Sequence, residues 1–350
     1  MADRIAIFDG HNDAVQSLAE FVPGGRDFLA RSDNGHLDLP RAREGGLAGG
    51  LFALFARPPQ PPKDDFTRTA TGYEVRLADP LDPDFARHRI DAQLDALLRV
   101  IDRADDQIRQ ATTVADIEAG RRDGVFTMVL HLEGAEAIGP GLENLERLYV
   151  AGLRSLGPVW SRPNIFGTGV PFAYPRSPDI GPGLTAAGLD LVRACNRMGI
   201  MVDVSHLNER GFRDVAGVTN APIVATHACA HAICPSTRNL TDRQLDAIRE
   251  SHGVVRFNFS VCDVRPDGYL DADTSLETIV RHVAYLVERL GEDCVALGSD
   301  FDGAVMPRPI GDASKLPHLI GALLAHGFDD RVVRKLAMGN WLRVFRLTWQ

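Results

Sequence analysis

Apolar runs of four to eight residues recur along the chain with near-continuous hydrophobic character rather than strict alternation. Eight of them read as strands: Ile5–Asp9, Gly50–Phe55, Val125–Leu132, Leu153–Val159, Ile200–Val204, Ile223–Thr226, Val254–Phe259 and Val295–Gly298. Such runs suit strands covered on both faces, as in a parallel sheet wrapped by helices. Between them the apolar positions shift to a helical period, predicting helices over Phe85–Ala104, Leu184–Met198, Glu209–Val218, Thr241–Glu250, Leu276–Leu290 and Asp329–Phe345. Strand–helix alternation repeated eight times predicts an α/β fold of the closed (β/α)₈ TIM-barrel type. Residues 56–85, rich in Pro, Asp and Arg, break the rhythm and read as a loop excursion after the second strand. A boundary there would strand two β-segments, too few to fold alone, so residues 1–350 are read as a single domain.

A barrel converges the C-terminal ends of its strands on one face, so reactive side chains should cluster there. His11 and Asp13 in "FDGHNDAV" follow the first strand, and Glu133 ends the third in "MVLHLEGAE". His206 ends the fifth in "VDVSHLNE", His227 the sixth in "VATHACAH", and Asp300 the eighth in "LGSDFDG". For His-x-Asp alone, an equally simple account is an Asp-Gly turn and a helix N-terminus capped by Asn12 or Asp13. Likewise, a lone strand-end His is more often a hydrogen-bonded structural residue, and Asp300 to Gly303 could be turn chemistry. Together, three imidazoles and three carboxylates suit a borderline divalent ion such as Zn²⁺ better than Ca²⁺ or Mg²⁺. The set exceeds the needs of one tetrahedral ion, so two ions bridged by Glu133 are expected. A water between two such ions is acidified from a pKa near 15.7 towards about 7 and supplies hydroxide at neutral pH. Asp300 beside it could take up and return the proton. Arg238, in "STRN", could bind a free carboxylate through two parallel bonds; an ion-paired loop arginine is the alternative.

These segments, "DGHNDAV", "LEGAEA", "VDVSH", "THACAHAICPSTRNLTD", "LGSDFDG" and "MGNWLRVF", resemble the membrane (renal) dipeptidase family, the M19 metallopeptidases, from about residue 5 to 345. The resemblance implies an amidohydrolase-type barrel with two zinc ions per chain, one on His11, Asp13 and Glu133, the other on Glu133, His206 and His227. It gives Asp300 the proton transfer and Arg238 the substrate carboxylate. It also implies a homodimer that hydrolyses small dipeptides and tolerates a D-residue at the C-terminal position. The chain departs from the family pattern twice. Trp160 stands where a carbonyl-contacting His is usual, so an aromatic side chain faces the substrate there, and Gly134-Ala135-Glu136 replaces Gly-Gly-His. Arg162 and His131 are the candidates to take over the missing histidine's work.

Composition narrows the partners. A formal charge of −9 without long runs of one sign gives no footprint for nucleic acid or an anionic membrane, which leaves a small polar substrate. Five scattered cysteines read as reduced thiols, and no segment has the length of a membrane span, so a cytoplasmic protein is expected. Two other activities use the same residues: deacylation of N-acyl amino acids, and metal-bearing binding without hydrolysis.

Overall fold

The structure is a computed structural model that describes residues 4–59 and 66–349. Eight parallel strands form its frame: β1 (Ile7–Asn12), β2 (Leu47–Leu54), β3 (Phe126–Glu133), β4 (Leu153–Gly157), β5 (Met201–Val202), β6 (Val224–Ala228), β7 (Val254–Phe257) and β8 (Val295–Leu297). β1 to β5 pair in sequence order, each parallel to the next, with Ile108–Gln110 added beside the start of β3. β6, β7 and β8 make a second parallel sheet. Where one continuous ladder is expected, the two sheets meet only through single parallel bridges, Asp203 with Val224 and Asn12 with Phe301. The interruptions fall where polar side chains take over: at the first, the Asp203 carboxylate accepts the Thr226 backbone N–H.

Strand alternation sorts the inner face into layers. Phe8, Leu51, Val129, Met201, Val224, Val254 and Ala296 form one buried cluster with Trp341 and Phe345, whose helix, Asn340–Thr348, plugs the N-terminal end of the strands. Trp341 fixes that plug by donating its indole N–H to the Leu297 carbonyl at 3.1 Å. Two residues further along the same strand faces stand His131, Asp203, Thr226 and Arg256, all buried. Space for the Arg256 side chain comes from Gly10 and Gly298; a Cβ on Gly298 would lie 1.4 Å from the guanidinium Nε. The opposite strand faces and the surrounding helices share a larger apolar core that includes Phe28, Phe52, Leu130, Leu156, Phe212 and Phe257.

Several boundaries differ from the sequence reading. β1 runs on to Asn12, which pairs with Phe52, so His11 lies on the strand rather than after it. β6 likewise reaches Ala228 and carries His227, and Glu133 is the last residue of β3. β5 is only two residues long, and the residue after it, Asp203, turns its carboxylate into local hydrogen bonds. The excursion is more than loop: Phe66–Arg68 and Tyr73–Val75 form a hairpin that pairs with Ala173–Tyr174, while its residues 60–65 lie outside the described residues. Helices Leu39–Gly45, Val114–Asp123 and Leu316–His326 were not anticipated.

Candidate metal centre

Glu133 is the focus of the strand-end cluster. Its Oε1 lies 3.0 Å from His206 Nε2, 3.4 Å from His227 Nε2 and 3.7 Å from His11 Nε2. Asp13 Oδ2 is 3.6 Å from the same nitrogen of His11. Asp13 does occupy the N-cap position of a short 3₁₀ turn, Ala14–Ser17, but its side chain makes no capping bond and is left for the cluster. Among the described residues, ligand atoms of His11, Glu133 and His227 lie within 4.8 Å of one another, as do those of His11, Asp13 and Asp300. All five expected ligands and Asp300 therefore share one site, with Asp300 grouped beside His11 and Asp13.

The electrostatics of this site favour a cation. Burial, followed by the neighbouring Asp13 and Asp300, holds the Glu133 carboxyl well above the usual carboxylate range. Asp13 is pushed up to about 6, again chiefly by burial. Burial lowers the imidazoles instead: His11 to about 4, and His206 and His227 well below the usual value. Carboxylates resist ionising and histidines resist protonation, and a divalent ion among them reverses the first effect while using the lone pairs that the second leaves free. Neither buried ring nitrogen of His11 has a hydrogen-bond partner among the described residues, an expensive arrangement that a metal bond to one of them would relieve. Gly303 preserves the open space, since a Cβ there would meet Asp13 Oδ2 at 2.1 Å and Asp300 Oδ1 at 2.5 Å. The residues fit a metal centre.

Asp300 follows β8 in a left-handed conformation, φ 61°, with its backbone N–H bonded to the His11 carbonyl. Its Oδ2 accepts from Asn258 Nδ2 at 3.1 Å. Asp302, also left-handed at φ 69°, does the turn-holding work by pairing with Arg26 and accepting the His36 backbone N–H. Asp300 is thereby free to face the ligands. Arg238 is buried against them: its Nη1 donates to the Ser205 carbonyl, and its Nη2 stands 3.3 Å from His206 Nε2. The neighbouring Thr237 donates its backbone N–H to Ala173, in the segment that pairs with the excursion hairpin, so this loop steadies the arginine.

The aromatic wall bears on the expectation placed on Arg162 and His131. Trp160 packs on Phe55, Phe172 and His206, with ring centroids 5.0, 5.8 and 5.8 Å away. Arg162 lies beneath it, fully buried, and donates Nε to Glu136 Oε1 at 2.7 Å and Nη2 to the Ala56 carbonyl at 2.8 Å. Thus the two departures from the family pattern are linked, because Glu136 holds the arginine that supports Trp160. His131 is engaged below the ligands, its Nδ1 2.8 Å from Ser155 Oγ. Both side chains are fully buried, and Arg162 Nη1 and His131 Nε2 have no hydrogen-bond partner among the described residues.

Sequence reasoning missed the polar layer under the ligands: Asp9, Asp203, Thr226, Arg256 and Asn258. Arg256 Nη2 donates to the His11 carbonyl at 3.2 Å, while Asp9 accepts the Ser299 N–H and hydroxyl, both at 2.7 Å. The available signal was a charged residue inside an otherwise apolar run, as in "VVRF" and "IAIFD".

Comparison with known proteins decides the family. The profile of the membrane dipeptidases, peptidase family M19, matches residues 1–350. The chain belongs to peptidase family M19. It is accordingly a metallo-dipeptidase, and the family implies a metal cofactor. A metallopeptidase from Rhodobacter sphaeroides, solved with a phosphinate mimic of the dipeptide L-Ala-D-Ala, superposes with a TM-score of 0.94 at 46% identity, covering 99% of this chain and 100% of that one. An uncharacterized protein from the pqqA 5′ region of Klebsiella pneumoniae is 50% identical over 258 residues, 74% of this chain and 95% of its own length. Dipeptidase tcpJ of Claviceps purpurea (strain 20.1) is 28% identical over 344 residues, 97% of this chain and 76% of its own length. As an M19 member the chain has five free cysteines, and no described helix is long and apolar enough to cross a membrane.

Proposed function

We propose that this M19 protein is a binuclear zinc dipeptidase, a single eight-stranded barrel domain, that cleaves small dipeptides and accepts a D-residue at the C-terminal position. The observation that carries the proposal is the convergence of three imidazoles on one buried carboxylate oxygen, with Asp13, Asp300 and Arg238 around it. His11, Asp13 and Glu133 would hold one ion, and Glu133, His206 and His227 the other. Bound there, zinc supplies Lewis acidity and lowers the pKa of water to about 7. Asp300 Oδ1 accepts a proton from the attacking water and returns it to the leaving amine. Arg238 receives the free carboxylate; its Nη groups hold the Ser205 and His227 carbonyls, and no bond engages its Nε among the described residues, leaving that donor for the ligand. Trp160, on its Arg162–Glu136 support, forms an apolar wall for the substrate side chain, where aromatic contact adds about 0.5–1.5 kcal/mol beyond area burial. Acceptance of the D-residue is supported by the ligand of the Rhodobacter sphaeroides protein, a mimic of L-Ala-D-Ala. The same reading makes the protein a cytoplasmic homodimer.

The test is a dipeptide panel with L- or D-residues in the second position, run on zinc-loaded protein beside N-acyl amino acids. Turnover of L-Ala-D-Ala, lost on chelation, is expected. Preference for the N-acyl compounds would replace the dipeptidase reading with deacylation.

A further inference from the structure

The hydrogen bonds beneath His227 have a direction that the geometry fixes. Asp203 Oδ1 accepts from the Ser205 backbone N–H at 3.1 Å, the Ser205 hydroxyl at 2.6 Å and the Thr226 backbone N–H at 2.8 Å. Its Oδ2 accepts from the Thr226 hydroxyl at 2.6 Å. A carboxylate oxygen accepts, so the hydroxyl hydrogen of Thr226 is committed to Asp203. Thr226 Oγ1 also lies 2.9 Å from His227 Nδ1, and with its own hydrogen in use it can only accept there. His227 therefore carries its proton on Nδ1. Its Nε2, 2.8 Å from His206 Nε2 and 3.4 Å from Glu133 Oε1, then carries the lone pair on the ligand side.

The other two imidazoles have no hydroxyl–carboxylate relay of this kind. His206 Nδ1 meets Ser161 Oγ at 2.9 Å, a hydroxyl with no second side-chain partner among the described residues, and its Nε2 faces the donor Arg238 Nη2 at 3.3 Å, a longer contact from the substrate side. Neither ring nitrogen of His11 has a hydrogen-bond partner. We propose that Asp203 and Thr226 are positioning residues that fix His227 as the Nδ1–H tautomer, making it a preorganised ligand of the metal centre. The proposal rests on the metal-centre reading above. It follows a general rule: a hydrogen bond at one ring nitrogen selects which nitrogen faces the metal.

Asp203→Asn tests the direction itself. Two of the three donors facing Oδ1 are backbone N–H groups that cannot turn away, so the amide oxygen must stay there and the NH₂ must face Thr226. That NH₂ donates to Thr226 Oγ1, the hydroxyl turns to donate to His227 Nδ1, and the imidazole proton moves to Nε2, where the metal should bind. Thr226→Val only deletes the relay, and Thr226→Ser retains it. Zinc affinity is read by competition with a chromophoric chelator, and the tautomer by nitrogen-15 NMR of histidine-labelled protein without metal. The expectation is a loss of about 10–100-fold in Thr226→Val, a larger loss in Asp203→Asn with the proton on Nε2, and near wild-type affinity in Thr226→Ser. Wild-type zinc affinity in Thr226→Val, which is nearly isosteric, overturns the proposal even if Asp203→Asn does not fold. So does an Nε2–H tautomer of His227 in the wild-type protein. If wild-type protein binds no zinc, the metal-centre reading fails, while the NMR signature still decides the relay.

Discussion

On one side of the site His11, Asp13, Glu133, His206 and His227 bring nitrogen and carboxylate atoms to a common point, and His11 has no hydrogen-bond partner on its ring. On the other side Arg162 and Glu136 are buried just as deeply, but they neutralise each other 2.7 Å apart under Phe55 and Trp160. Both walls carry polar groups that would be costly to bury alone. The aromatic wall offsets most of the cost by pairing the two charges, leaving Glu136 Oε2 and Arg162 Nη1 without partners among the described residues, whereas the ligand wall gathers carboxylates and imidazoles that a cation would satisfy. Changes to the ligand wall should therefore act on chemistry and metal content, and changes to the aromatic wall on stability and substrate preference.

Asp300→Asn is the sharpest probe of the ligand wall. It should retain most of the metal and lose about 10²–10⁴-fold in kcat, the usual worth of a positioned acid–base group. Steady-state kinetics at saturating zinc provide the check, and unaltered kcat would remove Asp300 from the chemistry. For the aromatic wall, Arg162→Met strands the Glu136 carboxylate and should lower stability by about 3–5 kcal/mol, with metal content unchanged. Replacing both partners by apolar residues should recover most of that loss, because the leftover charge causes it. Denaturant unfolding of the single and double variants distinguishes this from a loss of packing. Smaller again is Arg238→Ala, which should raise KM for dipeptides with a free carboxylate more than for amidated ones. Equal effects on both would make Arg238 a support for the Ser205 and His227 carbonyls only.

Much of this contrast was legible in the sequence on one side and hidden on the other. The ligands were readable because each stands at the end of an apolar run, where a barrel places its reactive groups: Glu133 after "MVLHL", Asp300 after "VALGS". Their strands were drawn slightly short at β1 and β6, since His11 and His227 read as breaks in hydrophobicity although both continue the strand. Asp203, Thr226 and Arg256 were hidden for the opposite reason. They sit within apolar runs, and only the folded structure shows that alternation puts them together on one layer. The Arg162–Glu136 pair spans 26 positions in sequence, and no local spacing rule connects them. The excursion hairpin was missed because its strands, Phe66–Arg68 and Tyr73–Val75, are short and largely solvent-facing, without an apolar run to mark them.

The central claim is that the ligand wall exists to hold two metal ions bridged by Glu133. Elemental analysis of purified wild-type and Glu133→Ala protein, each equilibrated with zinc and freed of excess, tests it most directly. The account predicts two equivalents per chain in the wild type and at least one fewer in the variant, with dipeptide hydrolysis falling in parallel. A single equivalent in zinc-saturated wild type, or equal metal content in the two proteins, would contradict it.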